Sequence, residues 1–205
     1  MGTAMTLPPM PLGVAEFQLV LLRRMADYQP ELVESARKSL GFSATDMRAV
    51  NAQWQRMLRS RHSRGPVGML RGVLGEPVAR VQRHIGDLTC PALQWTLPLW
   101  PTLRFEALTG PGGMLLTEHL VRGPGSPRPT LRRLGDLRPW SCVLGDVATA
   151  FGPLRHLEGS APTRDLVLAQ VPDEPADHAD APTSTIAFEF VYGLLQLARK
   201  HDVRR

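Results

Sequence analysis

The sequence contains little cysteine: only Cys90 and Cys142 occur among its 205 residues. Two cysteines cannot form the disulfide framework of a small secreted protein, nor can they supply four thiolates to a zinc ion. We therefore expect both to be buried as small apolar side chains, in a protein that stays reduced and cytoplasmic.

Long apolar runs are also missing. The longest, at residues 17–22, falls far short of the roughly 20 residues that span a bilayer, and no basic-then-apolar leader opens the chain. We expect a protein with no membrane partner and no cleaved leader. With 43% hydrophobic and 21% charged residues, the composition is that of one globular domain rather than of a disordered or fibrous chain.

Lysine is also rare. The chain has only Lys38 and Lys200 but twenty-two arginines, and its net charge is +5. A basic protein can bind nucleic acid, but arginine in place of lysine, beside abundant Ala, Gly and Pro, also indicates a GC-rich coding bias. We favour the bias. The densest arginine cluster follows Trp54 at a predicted helix end, where cations are favoured, and no recognition-helix motif accompanies it. Its members are Arg56, Arg59, Arg61 and Arg64. We do not expect nucleic acid as a partner.

The common catalytic signatures are absent as well. The sequence has no phosphate loop, dinucleotide fingerprint or nucleophile elbow, and no histidine pair at helical ligand spacing. Their absence excludes only the readily recognised forms of these sites. Three of the six histidines lie in polar loops or at the chain end and are expected on the surface: His62, His178 and His201. His119 is the candidate for chemistry because it lies on a predicted hairpin opposite an arginine.

The pattern along the chain predicts an arm at residues 1–13, N-terminal helices at 14–60 and an α+β domain at 61–205. Helical spacing of apolar residues predicts three helices within 14–60, at 14–29, 31–40 and 44–58, and a short helix follows at 67–74. Residues 78–85 alternate as a strand. The pattern predicts a broken helix at residues 131–157 and a strand at 165–171. Residues 185–201 are predicted to form either a helix or a strand that leads into one.

The clearest local unit is a hairpin over residues 103–121, with the turn signal Gly-Pro-Gly-Gly at 110–113. If Thr109 faces Met114, antiparallel pairing sets Arg104 opposite His119 and Glu106 opposite Thr117. These four polar side chains then share one face. That face is either solvated or a ligand-facing surface, and an antiparallel α+β domain follows from the order of elements.

Several short phrases resemble the chorismate pyruvate-lyase superfamily. They are GPVGML at 65–70, LGEPV at 74–78, the hairpin at 103–121, LRRLG at 131–135 and TRDLV at 163–167. The resemblance covers residues 65–171. It implies a six-stranded antiparallel sheet with flanking helices that bury the ligand, a scaffold that also serves as the effector-sensing domain of some bacterial regulators. It implies lyase chemistry on chorismate without metal or cofactor.

Carried over residue by residue, the resemblance places Arg104 as a carboxylate-binding residue and Glu189 as the acidic group on the last strand. His119 stands where the typical lyase has its second arginine, with Arg122 three residues further on. These departures indicate a substrate other than chorismate. The predicted site is therefore Glu189 and His119 as catalytic residues, with Arg104, Glu106, Thr117 and Arg122 binding substrate.

Three hypotheses about function remain at this point. The first is a divergent lyase or cyclase of a biosynthetic pathway that acts on a small acidic or polyunsaturated molecule, and we expect this substrate to bear a carboxylate. The second is a noncatalytic domain that binds a small ligand on the same scaffold. The third is an interaction protein whose N-terminal helices bind a partner.

Overall fold

The computed structural model describes residues 12–60, 65–174 and 182–201. Four helices come first: α1 (Val14–Met25), α2 (Pro30–Ser39), α3 (Ala44–Arg59) and α4 (Gly65–Leu74). The predictions for this part are confirmed to within a few residues, because a 3.6-residue apolar period leaves little choice of structure. Of the predicted arm, residues 1–11 lie outside the described part, and the Gly13 amide donates to Glu16 at the start of α1 (2.9 Å).

In the described part of the chain, eight strands form two four-stranded antiparallel sheets in simple meander order. Sheet A contains β1 (Ala79–Ile85), β2 (Leu88–Thr96), β3 (Leu103–Thr109) and β4 (Leu115–Arg122). After α5 (Leu144–Phe151), sheet B contains β5 (Arg155–Ala161), β6 (Arg164–Pro172), β7 (Thr183–Val191) and β8 (Leu194–Lys200). The order of one helix and four strands therefore occurs twice, as α4 with sheet A and as α5 with sheet B.

The α+β class and the antiparallel pairing are confirmed, but the prediction of a single six-stranded sheet is wrong. Three segments account for the difference. Residues 131–157, predicted as a broken helix, contain a single 3-10 turn at Leu134–Asp136, the short α5 and the beginning of β5. Residues 185–201 form two strands that turn at Tyr192 and Gly193, both at positive φ. No prediction was made for β2.

The N-terminal helices cover one face of sheet A, which we call its inner face. Phe17 of α1 lies edge-on to Trp54 of α3 and to Phe105 of β3, with ring centroids 5.3 and 4.9 Å apart. These aromatic pairs contribute beyond their buried area, by about 0.5–1.5 kcal/mol each. The N-terminal helices and the inner face of sheet A thus share one hydrophobic core.

A second core lies between α5 and one face of sheet B. Val147 and Phe151 of α5 pack with Val167 of β6 and with Phe188 and Phe190 of β7. The alternation of β6 and β7 directs these residues to the same side, since neighbours along a strand point to opposite faces. No described helix packs on the other side of sheet B, which we call its open face.

The two sheets meet where β4 passes the β7–β8 turn. The Leu120 amide donates to the Tyr192 carbonyl at 2.7 Å, and the Leu144 amide donates to the Gly193 carbonyl at 2.9 Å. At Gly193 an added Cβ would come within 2.9 Å of the His119 Cβ. Glycine is therefore required at Gly193 both by its positive φ and by this close approach.

Candidate functional site

The predicted hairpin residues lie together on the outer face of sheet A, but in a different register. Arg104 is opposite Val121, Glu106 is opposite His119, and Leu108 is opposite Thr117. The predicted register is wrong by two residues because Met114 belongs to the loop and a bulge follows Leu108. A shift of two preserves the face of every side chain, so Arg104, Glu106, Thr117 and His119 share one face as predicted.

Glu106 is held inside a network of its own sheet. Arg83 Nη2 donates to Glu106 Oε2 at 2.7 Å, Arg83 Nε donates to Oε1 at 3.2 Å, and Gln94 Nε2 donates to Oε2 at 2.6 Å. The hydrogen bond from Arg83 to Glu106 raises the pKa of that guanidinium above its ordinary value. With only 7% of Glu106 exposed, its carboxylate accepts from its neighbours in the sheet.

His119 joins the two sheets. Its Nε2 lies 3.2 Å from Oδ2 of Asp165 on β6, and both side chains are mostly buried. The pairing directs the imidazole toward sheet B instead of toward an open cavity. Thr117 is half-buried on the same face, and the side chain of Arg104 donates to the Leu103 carbonyl at 3.3 Å.

Arg122 lies near the N-terminus of α5. Its Nη2 donates to Oδ2 of Asp146, whose side chain is 3% exposed. The same carboxylate accepts from the Val143 amide at 3.1 Å, so it caps the helix as well as pairing with arginine. Arg122 therefore holds α5 against β4 in this structure.

Glu189 lies on the open face of sheet B. Residues 183–191 are a strand, as its predicted role requires. Arg199 Nη2 donates to Glu189 Oε1 at 2.8 Å. Tyr28, in the loop after α1, lies beside Glu189, and burial, followed by this carboxylate, raises the pKa of the Tyr28 phenol. The depression that Glu189 lines does not include Arg104 among its described residues, so the two predicted site residues do not share an enclosed cavity there.

Sequence reasoning did not identify the open face of sheet B as a site. Strand pairing aligns one cross-strand row as Arg155, Leu168, Ala187 and Arg199, and the next as Leu157, Leu166, Glu189 and Leu197. Residues directly opposite each other in an antiparallel pair share a face. The face therefore combines an aliphatic floor with arginines at both ends of a row.

Three depressions follow this face. Their volumes are about 240, 320 and 230 Å³, beginning beside Pro153 and ending beside Tyr28. The signal in the sequence that could have located the face is the alternation of Leu166 and Leu168 with buried β-branched residues in β6, a pattern typical of a strand with two apolar faces.

Basic groups surround the first two depressions. They are lined by Arg155, Arg199, Lys200 and His201, without an acidic residue among the described lining. Lys200 is paired with Asp173 at 2.9 Å and Arg199 with Glu189. Arg155 is exposed and makes no ion pair with any residue in the described ranges. Its guanidinium is free to bind an anion.

One acidic residue elsewhere has an unusual environment. Glu118 of β4 is opposite Ala107 on the inner face of sheet A, and burial raises its pKa to about 7, against a smaller opposing effect of His119. Burial likewise raises the pKa of the Cys142 thiol to about 12. Both cysteines are free and buried, as predicted, and an un-ionised thiol is a poor nucleophile.

Parts of two earlier predictions fall outside the structure: His62 and His178, and the cluster members Arg61 and Arg64, are not among the described residues. Of the remaining cluster, Arg59 donates to the Gln55 carbonyl at 3.1 Å. Within residues 12–60, 65–174 and 182–201, no group of three His, Cys, Asp or Glu side chains is placed to hold a metal ion. The same part of the chain contains no helix long and apolar enough to cross a membrane.

Comparison with known proteins adds little to this geometry. No family model matches the sequence, and no curated protein matches it. A solved structure from Streptococcus mutans, described as a "putative beta-lactamase inhibitor protein", is 14% identical, and the match covers 70% of this chain and 88% of that one. The TM-score of that match is 0.27, too low to establish a shared fold.

Proposed function

We propose that the chain is a noncatalytic binding domain and that the open face of sheet B takes an acidic, partly apolar ligand. The observation that supports this most directly is the row of Arg155, Leu168, Ala187 and Arg199, aligned across four strands. Leu168 and Ala187 in the middle of the row are 3% and 4% exposed and form a buried floor, while the half-buried Leu157 and Leu166 of the next row offer apolar contact. At one end the unpaired Arg155 guanidinium offers a planar pair of donors to a carboxylate, whereas Arg199 at the other end already pairs with Glu189.

The absence of catalysis is supported by how the acid and base candidates are engaged. A general acid or base must reach a proton on the substrate. Glu189 accepts from Arg199, Glu106 accepts from Arg83 and Gln94, and His119 faces Asp165. The hydrogen bonds give the two carboxylates structural roles, whereas His119 only approaches Asp165 Oδ2, an oxygen without a hydrogen-bond partner among the described residues.

A divergent chorismate lyase-like enzyme is the second candidate. Its support is that Arg104, Glu106, Thr117 and His119 share the outer face of sheet A, in addition to the short phrases that resemble the family. Incubation with chorismate, with pyruvate and hydroxybenzoate as the measured products, tests this candidate. Product formation that is lost in Arg104→Ala would support the enzyme and contradict a noncatalytic domain.

The binding proposal is tested by NMR titration of the ¹⁵N-labelled full chain with octanoate, and with octanol as the uncharged probe. We expect octanoate to shift amide signals of the open face, including Leu166, Leu168 and Ala187, and octanol to do so more weakly. Arg155→Ala should reduce the octanoate shifts severalfold. The control is Arg48→Ala, at an exposed arginine on α3. Shifts confined to the outer face of sheet A, around Arg104, would overturn the proposed location.

A further inference from the structure

The three depressions on sheet B form one groove, because neighbouring depressions share lining residues. Leu168 and His201 line both the first and the second, and Leu166 and Arg199 line both the second and the third. The depressions therefore follow one another from Pro153 to Tyr28. They run along the strands, because their lining residues on β6 pass from Gln170 through Leu168 and Leu166 to Arg164.

The shape of this groove fits a chain better than a compact small molecule. Pockets for small ligands bury roughly 70–90% of the ligand surface. Here no described helix closes the face above Leu166 and Leu168, and Arg155 and Arg199 at the ends of the row are exposed. An open groove of this length offers contact along an extended segment, in which alternate side chains point to the same side.

The charges differ between the two ends of the groove. Toward Pro153 the charged lining residues are basic, and Arg155 has no ion partner among the described residues. Toward Tyr28 acidic residues outnumber basic ones, since Glu158, Asp165 and Glu189 line that depression with Arg164 and Arg199. Arg164 pairs with Asp27 at 2.8 Å. Electrostatic attraction is therefore available at the Pro153 end, for an anionic group of the ligand.

We propose that the groove binds an extended acidic segment of a partner protein. Aliphatic side chains of the segment lie on Leu157 and Leu166, above the buried Leu168, and a carboxylate of the segment binds Arg155, which has no ion partner among the described residues. This inference rests on the proposed function, since it names the class of ligand for the same face. It adds that the ligand is a polypeptide in extended form and that its acidic part lies toward Pro153.

The test is selection of a displayed library of random twelve-residue peptides on the full chain. Selected peptides are then synthesised with a fluorophore and measured by fluorescence anisotropy. We expect enrichment of Asp and Glu together with Leu, Ile or Phe, and weaker binding as salt is raised, because exposed charges are screened. Arg155→Glu should weaken binding at least tenfold, whereas Arg48→Glu on α3 should leave it unchanged.

Arg155→Gln gives a second variant in which the new side chain carries no charge, and circular dichroism of each variant checks its fold. Selected peptides without an excess of acidic residues, or equal binding to wild type and Arg155→Glu, would overturn this inference. If octanoate shifts the open-face signals but no acidic peptide binds, only the polypeptide ligand is wrong. If neither octanoate nor peptide binds the open face, the proposed function is wrong as well.

Discussion

The buried carboxylates of this protein differ in how many hydrogen bonds and ion pairs their neighbours provide. Glu106 accepts three hydrogen bonds from two side chains, and Asp146 both caps α5 and pairs with Arg122. Glu118 differs, because burial raises its pKa to about 7 and no described residue forms an ion pair with it. The folded state therefore tolerates its charge poorly.

The environment of Glu118 predicts a pH-dependent effect of Glu118→Gln on stability. Since the pKa is raised from an ordinary 4.5 to about 7, the folded protein binds more protons than the unfolded chain between these values. The contribution of Glu118 to the free energy of unfolding therefore falls as pH rises from about 4.5 to 7. Urea denaturation should show the variant more stable than wild type by about 1–3 kcal/mol at pH 8, and little changed at pH 4.

Glu31→Gln is the matched control for this comparison, because Glu31 is exposed on α2 and loses the same single charge. Its difference from wild type should be small at both pH values. An equal stabilisation by Glu118→Gln at pH 4 and pH 8 would contradict a penalty that depends on ionisation. It would point instead to a packing effect of the amide.

At the scale of elements, strong local signals made the structure predictable and long-range pairing did not. The helical stripes of α1 and α3 and the Gly-Pro-Gly-Gly turn depend on residues near one another in the chain. The strand pair β7–β8 was ambiguous because a continuous apolar run fits a buried helix as well as a strand. Its turn at Tyr192 and Gly193 lacks the Asn-Gly or Asp-Gly signal typical of such hairpins.

In the candidate site, too, the features that depend on nearby residues were predictable from the sequence and the long-range contacts were not. The shared face of Arg104 and His119 was predictable because side chains alternate along a strand, and an error of two residues in register does not change the face. The pairs His119–Asp165 and Arg122–Asp146 join distant parts of the chain. No periodicity in the sequence encodes such contacts. The open face of sheet B depends on β5 and β8, of which one was missed and the other left undecided.

The turn between β7 and β8 predicts a strong effect of Gly193→Ala. Gly193 has φ of +69°, and an added Cβ would lie 2.9 Å from the His119 Cβ. The substitution thus adds a steric clash at the junction of the sheets to the cost of a left-handed alanine, which is about 1–2 kcal/mol. We expect urea denaturation to show a loss of about 2–4 kcal/mol.

Gly86→Ala separates the two contributions. Gly86 also turns a hairpin, with φ of +55°, but an added Cβ there meets nothing within 4 Å. Its loss of stability should be close to the conformational cost alone, about 1–2 kcal/mol. Equal losses at the two glycines would show that His119 does not pack closely against the β7–β8 turn.

At the scale of the whole molecule, two units of one helix and four strands are joined where β4 meets the β7–β8 turn. The core of sheet A, covered by α1–α4, extends to Val191, Tyr192 and Leu194 of sheet B, and α5 covers a second core on sheet B. The junction includes the hydrogen bond from the Leu120 amide to the Tyr192 carbonyl, the packing of Phe105 with Tyr192 and the His119–Asp165 contact. Side chains also link the N-terminal helices to sheet B, since Gln29 donates to the Gln196 carbonyl at 2.8 Å.

These links predict that the two sheets unfold together, as measured by amide hydrogen exchange of the full chain in low concentrations of urea. The amides of Leu120 at the junction, Phe105 in sheet A and Phe188 in sheet B should then exchange with the same free energy of opening, that of global unfolding.

Asp165→Asn removes the charge opposite His119 while retaining the size of the side chain, so it should lower all three values equally. Gln170→Ala, on the exposed end of β6, is the matched control in the same strand. Lower protection of one whole sheet than of the other, or a fall confined to sheet B in Asp165→Asn, would show instead that the sheets open as separate units and that the junction contributes little to their stability.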